Sequence, residues 1–140
     1  MDKNTAAQIA ELLNGRNQLT REYTTEDILK NAENYIYEQE NEVFVACVEV
    51  KKVQWYQSEI LHLSVSENYE GQGHGRRLIA KAEEKAVRDG AKILQCTIRT
   101  DNKGSEHVFS VSGYRQVACF YNPVSANDIG VWQKVVSVRP

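Results

Sequence analysis

Apolar residues recur at helical spacing in some stretches of this chain and at alternate positions in others, and the two periods mark helices and strands. Ile9, Leu12 and Leu13 form a short apolar face behind Thr5-Ala6-Ala7-Gln8, which reads as a capping box, and Asn14-Gly15 predicts the stop. Thr24 and Thr25, ahead of Glu26 and Asp27, open a second short helix carrying Ile28, Leu29 and Ala32, with its acidic residues at the positive end of the helix dipole. Tyr35–Gln39 and Val43–Val53 then flank the polar turn Glu40-Asn41-Glu42 as a hairpin. Ser58–Val65 alternates so that Glu59, Leu61, Leu63 and Val65 share one face, with Ile60, His62 and Ser64 on the other. Arg76–Asp89 is an amphipathic helix with the stripe Leu78, Ile79, Ala82 and Ala86, stopped by Gly90. Ile93–Arg99 reads as a strand, Lys103–Ser112 as a helix ending at Gly113, and Tyr114–Tyr121 and Ile129–Val138 as two last strands joined by the polar loop Asn122–Asp128. This mixed order predicts an α+β fold, a mostly antiparallel central sheet flanked by helices.

A chain of 140 residues without repeat, linker or low-complexity block suits a single domain over residues 1–140. It is long enough to bury a core without disulfides or metals. The net charge of −2 and the lack of a basic patch argue against a nucleic-acid partner. Cys47, Cys96 and Cys119 are odd in number and widely spaced, so no disulfide framework is expected; each sits in an apolar stretch and reads as a buried reduced thiol. His62, His74 and His107 have no zinc-type spacing with them, so no metal is expected. The start MDKNTAAQ lacks the apolar segment of a secretory signal, and no run is long enough to span a bilayer. A cytoplasmic protein without a membrane partner is the expectation.

Three of the eight glycines fall within five residues, Gly71-Gln72-Gly73-His74-Gly75, between a strand and the long amphipathic helix. Without Cβ atoms the backbone N–H groups of such a turn can approach a ligand closely. The helix N-terminus adds unpaired donors and partial positive charge. Together they suit a phosphate or pyrophosphate, and Arg76 and Arg77 stand at the same rim. A Walker loop would need Gly-Lys followed by Ser or Thr, and the dinucleotide fingerprint needs Gly-x-Gly-x-x-Gly behind a first strand; neither fits.

The segment resembles the central motif of the GNAT acetyltransferase superfamily, Arg/Gln-x-x-Gly-x-Gly/Ala, which follows an apolar strand end and opens a helix. Here it reads Glu70-Gly71-Gln72-Gly73-His74-Gly75 after Leu61-His62-Leu63-Ser64-Val65. Downstream, Ile93–Arg99 is similar to the next family strand, Asn102 stands where many members place an asparagine, and Gly113-Tyr114 resembles the Gly-Phe/Tyr pair that opens the following strand. The similarity runs over about residues 35–138 and is most specific over 59–114. Two positions depart from the pattern. Glu70 replaces the first Arg or Gln, and Phe109 stands where many members carry a tyrosine that protonates the leaving thiolate. A thiol with a pKa of about 8.5 is a fair leaving group without that help.

The resemblance implies an N-acetyltransferase that moves an acetyl group from acetyl-CoA to a primary amine by direct transfer in a ternary complex. It implies that the Val65 N–H or a neighbouring one meets the thioester carbonyl. The strand edge, with Leu63 and Val65 through Ser66 to Glu67, would pair with the pantetheine arm, and Gly71, Gln72, Gly73, His74, Gly75 and Arg76 would hold the pyrophosphate. Asn102 would hydrogen-bond the arm or its neighbourhood and Phe109 would pack against it, while His74 reads as a solvent-facing loop residue. Glu59 is the expected base, because it shares an otherwise apolar face and stands six residues before Val65, where histone-acetylating members carry a catalytic glutamate. His62 competes by chemistry, since imidazole titrates near neutrality, but its parity points it to the opposite face. The N-terminal helices and the Asn122–Gly130 loop would build the acceptor site, and a homodimer through the C-terminal strands is consistent with small members of the family. A non-catalytic acyl-CoA-binding module is the alternative that Phe109 favours, and a nucleotide-binding protein unrelated to coenzyme A is a third reading.

Overall fold

The computed structural model describes residues 1–16 and 22–137. Helices α1 (Lys3–Arg16) and α2 (Thr25–Lys30) lead into strands β1 (Tyr35–Glu40), β2 (Val43–Gln54) and β3 (Gln57–Val65). Helix α3 (His74–Arg88), strand β4 (Ile93–Arg99), helix α4 (Lys103–Val111) and strands β5 (Arg115–Asn122) and β6 (Asn127–Val135) follow. The strands form one six-stranded sheet in the order β1-β2-β3-β4-β6-β5, in which β3–β4 is the parallel pair. The expected α+β class and element order are therefore present.

Alternation along β2 divides the core. Ala46, Val48 and Val50 face α3, whose Leu78, Ile79, Ala82 and Ala86 are completely or almost completely buried against them. Cys47 lies on the opposite face, in a second apolar cluster with Ile9, Leu13, Tyr23 and Ile28 from the N-terminal segment. Fully burying the valine, leucine and isoleucine side chains among these is worth about 1.5–3 kcal/mol each, so the two helical layers clamp β2 and β3 from both sides. Glu83 on α3 fastens the far end of the sheet: it accepts from the Tyr114 hydroxyl at 2.9 Å and from Lys134 Nζ on β6 at 2.9 Å.

Local chemistry moved several element ends. Helix α1 begins two residues before Thr5, because the Asp2 carboxylate accepts the Thr5 N–H at 2.7 Å and caps the helix instead of the Thr5 box. Nor does Asn14-Gly15 stop it; α1 continues to Arg16. Thr24 and Asp27 form the reciprocal capping box of α2. The β5–β6 loop is shorter than expected, since Asn122 already pairs with Asn127. Asn122 Oδ1 accepts the Val124 N–H at 2.9 Å and Ala126 takes a φ of 56°, which closes the turn within residues 123–126. The last strand starts at Asn127 and ends at Val135; its expected end, Val138, lies outside the described residues. Cys47 and Cys96 are buried, and burial above all, with a nearby carboxylate, pushes each thiol up to about 12. Cys119 is exposed on β5, contrary to expectation, because β5 is an edge strand that none of the described helices covers.

Candidate active site

A break in the sheet makes the site. Only Gln57–Glu59 of β3 pair with Ile93–Gln95 of β4, although both strands run on to Val65 and Arg99. The cause lies on the other edge of β3. Cys47 pairs with Ser64 and Glu49 with Leu61, so three steps on β3 match two on β2, and His62 takes a φ of 56°. Such a bulge bends its strand and increases the local twist. Beyond it β3 leans away from β4, and a cleft of about 310 Å³ opens between them. Ile60 to Ser64 form one wall and Cys96 to Arg99 the other, with Asn102, Ser105 and Phe109 of the α4 region alongside. Leu13, Tyr23, Phe120, Asn122 and Ile129 line the rest. The cleft lies between the carboxyl-terminal halves of two parallel strands joined by a helical crossover, close to the ordinary ligand position in parallel sheet.

The bulge also overturns the face assignment along β3. Leu63 and Val65 pack against the same core cluster as Ile60, on the α3 side, and not with Glu59 and Leu61. His62 therefore turns towards the N-terminal segment, where Tyr23 Oη lies 3.0 Å from its Nε2 and Glu49 Oε1 lies 3.6 Å from the same nitrogen. Glu59 sits at the root of the opening, accepts from Gln95 Nε2 at 2.9 Å, and lies outside the lining residues, whereas His62 lines the cleft.

The other expected residues divide into three places. Leu63, Asn102 and Phe109 line the cleft. Phe109 is 3 % exposed and packs edge-to-face on Tyr114, while Asn102 Oδ1 caps α4 by accepting the Ser105 N–H at 3.1 Å. Val65, Ser66 and Glu67 continue the β3 edge. The Ser66 N–H donates to the Val45 carbonyl at 2.7 Å, so it is turned towards β2. Successive amides of an extended strand point to opposite edges, which leaves the Val65 N–H on the cleft side. Gly71 to Arg76 form the turn and first turn of α3. Gly71 and Gly73 adopt φ of 77° and 85°, and among the described residues no side chain caps this helix end. The N-terminal amides of α3 thus remain available to an anion.

His74 does not face solvent. It is 4 % exposed; its Nδ1 contacts Glu38 and its Nε2 lies 3.1 Å from Glu40, both on β1. Glu38 also accepts from Lys81 Nζ at 3.1 Å and from Arg77 Nε at 3.4 Å. Burial works against the charge of Glu38, but the hydrogen bonds from His74 and Lys81 and the charges of Lys81 and Arg77 outweigh it and hold the carboxyl below its usual range. His74 thus anchors the glycine turn to β1. Arg77 adds a brace by donating to the Gln72 carbonyl at 3.1 Å. Tyr23, Tyr35 and Glu49 carried no functional expectation. The sequence does hold a signal for Glu49, an acidic residue inside the apolar run Phe44–Val50.

The family model for the acetyltransferase (GNAT) family matches residues 5–114. The chain belongs to the GNAT acetyltransferase family. Glu70 is exposed at the start of the glycine turn. Solved structures agree on the fold. yncA from Salmonella typhimurium, solved with its cofactor acetyl-CoA, is 19% identical and superposes over 99% of this chain and 92% of its own with a TM-score of 0.86. Ard1 from Thermoplasma volcanium is 17% identical over 98% of this chain and 95% of its own, with a TM-score of 0.84. The ribosomal-protein-alanine N-acetyltransferase from Brucella melitensis is 16% identical over 96% of each chain, with a TM-score of 0.82. No curated protein sequence matches this GNAT chain. Among its described residues, no helix is long and apolar enough to cross a membrane.

Proposed function

We propose that this GNAT protein transfers an acetyl group from acetyl-CoA to a primary amine, of a protein or a small molecule, directly within a ternary complex. The observation that carries the reading is the continuity of two features: a glycine turn with unpaired helix amides, and a strand edge released from its neighbour. A diphosphate with a long thioester arm needs both, and the relative from Salmonella typhimurium is described with acetyl-CoA as its cofactor. The amides from Gln72 to Arg76 would hold the pyrophosphate, with Gly71 and Gly73 providing the bend. Val65 would donate to the thioester carbonyl, and Leu63, Asn102 and Phe109 would flank the arm. This donor concentrates positive potential where the carbonyl oxygen gains charge, and the cleft holds the two reactants together.

Phe109 supplies no proton, so the thiolate leaves without a side-chain acid. The same phenylalanine is the one observation that favours a module that binds acyl-CoA and does not turn it over. The amine's proton has two candidate acceptors, Glu59 at the root of the opening and His62 in the cleft wall. The exposed edge strand β5, with Val117, Phe120 and Tyr121 uncovered, is where a second copy would pair in a homodimer; sedimentation across a concentration series tests that part.

The test of the main reading has two stages. Acetyl-CoA should raise the melting temperature, with ATP and NAD ineffective. Free thiol should then be released on addition of an accepted amine from a panel of peptides, polyamines and amino acids. A shift without thiol release from any amine would support the binding module, and no shift would remove the coenzyme A reading.

A further inference from the structure

A buried carboxylate is costly unless neighbours compensate it. Among the described residues Glu49 is the one acidic side chain in the buried interior, 7 % exposed. It accepts from the Tyr35 hydroxyl at 3.3 Å. Burial first, and then the charge of Glu49, push that phenol far above its ordinary range, so it remains a donor. The same oxygen, Glu49 Oε1, lies 3.6 Å from His62 Nε2. The positive φ of the bulge places the imidazole between this carboxylate and the cleft, where its side chain is 23% exposed. Tyr23, whose hydroxyl approaches His62 Nε2 at 3.0 Å, is fixed in turn. Asn14 accepts the Tyr23 N–H at 2.7 Å and donates to the Tyr23 carbonyl at 2.9 Å. An imidazole facing a cleft with a carboxylate behind it is the arrangement of a base and its orienting group.

We propose that His62, oriented by Glu49 and Tyr23, is the base that takes the proton from the amine acceptor. The inference rests on the acetyl-transfer reading and deepens it. One ammonium proton passes to an imidazole nitrogen. The freed nitrogen lone pair forms the new C–N bond to the acetyl carbon, and the C–S bond breaks with its electron pair leaving on sulfur. The second proton goes from the attacking nitrogen to that sulfur, and His62 returns the first to solvent, so one proton is released per turnover. The described groups against the imidazole are Glu49 from β2 and Tyr23 ahead of α2; Tyr35 from β1 bonds Glu49 in turn, and the apolar Leu13 from α1 lines the same cleft. Glu49 favours the imidazolium, which stabilises the state formed after proton transfer.

Two measurements test this. The first follows the His62 ring by NMR through a pH titration of the cofactor-free protein. Glu49→Gln should lower its midpoint, and a midpoint that does not move overturns the role of Glu49. The second is the pH profile of kcat/KM for thiol release. His62→Gln should lose about 100-fold or more and the acidic limb with it, while acetyl-CoA still raises its melting temperature. His62→Asn is the companion variant, since asparagine tolerates a positive φ. Glu59→Gln should keep the acidic limb. An acidic limb retained in both His62 variants, or lost in Glu59→Gln, overturns the proposal. If the wild-type protein binds acetyl-CoA but releases no thiol with any amine, the acetyl-transfer reading itself has failed, and the base assignment falls with it.

Discussion

Gly73 is held by two constraints of different strength. A Cβ there would stand 2.9 Å from Arg77 Nη1, the far end of a flexible side chain that can swing away. The φ of 85° has no such relief. A left-handed backbone costs an ordinary residue about 1–2 kcal/mol, so Gly73→Ala should lose roughly that much in urea denaturation and should also weaken acetyl-CoA binding in calorimetry. Gly71→Ala pays the same backbone cost with nothing within 4 Å of the new methyl, so it separates strain from crowding. The glycines were legible because their spacing is local. The role of His74 was not, because its partners Glu38 and Glu40 lie 36 and 34 residues away on β1. Cys119 misled for a similar reason: an apolar neighbourhood in sequence does not tell an edge strand from a covered one.

At the scale of elements, the tie between β1 and α3 is made of charge. Glu38 gathers His74, Arg77 and Lys81, all from the first two turns of the helix. Losing a hydrogen-bonded carboxylate of this kind costs about 1–3 kcal/mol, and Glu38→Gln should show that loss at pH 7. Its folded value is held below the ordinary 4.5. The extra stability is therefore fully present above about pH 4.5 and is lost as pH falls through the lower folded value. Melting curves of wild type and Glu38→Gln should differ at pH 7 and converge on acidification below that point. A gap that stayed constant into strong acid would assign the loss to packing instead. The two periods of the sequence made these elements legible, and strands β1 to β4 fall within a residue or so of expectation. Parity along β3 failed because a single extra residue at His62 exchanges the faces beyond it, and no residue in Leu61-His62-Leu63 announces a bulge. That one residue moved His62 to the side of Glu49.

For the whole molecule, a mostly antiparallel sheet flanked by helices was legible in the order of the elements and in the family resemblance, whereas the strand order and the parallel β3–β4 pair emerge only in the structure, and the cleft follows from them once β3 bends. The identity of the acceptor was not legible, since the N-terminal segment, the β5–β6 hairpin and the bulge meet at the cleft only in three dimensions. Their meeting does constrain the amine. Among the described residues, Leu13, Tyr23, Phe120, Asn122 and Ile129 line that part of the cleft without a carboxylate, so none of these selects for a strongly basic side chain. Proton transfer adds a second selection. Imidazole has an ordinary pKa of about 6.5, an α-amine about 7.7–8.0 and a lysine ε-amine about 10.4. Whatever value its neighbours give the imidazole, an α-amine therefore yields its proton more easily than an ε-amine by about 2.5 units, each unit a factor of ten. A peptide with a free α-amine should outpace a lysine peptide with a blocked N-terminus by a ratio on the order of 10²-fold at pH 7, in kcat/KM for thiol release. The ratio should shrink as pH rises and the ε-amine loses its proton to solvent. A lysine peptide that is preferred at neutral pH, with a preference insensitive to pH, would mean that His62 does not set the protonation of the acceptor.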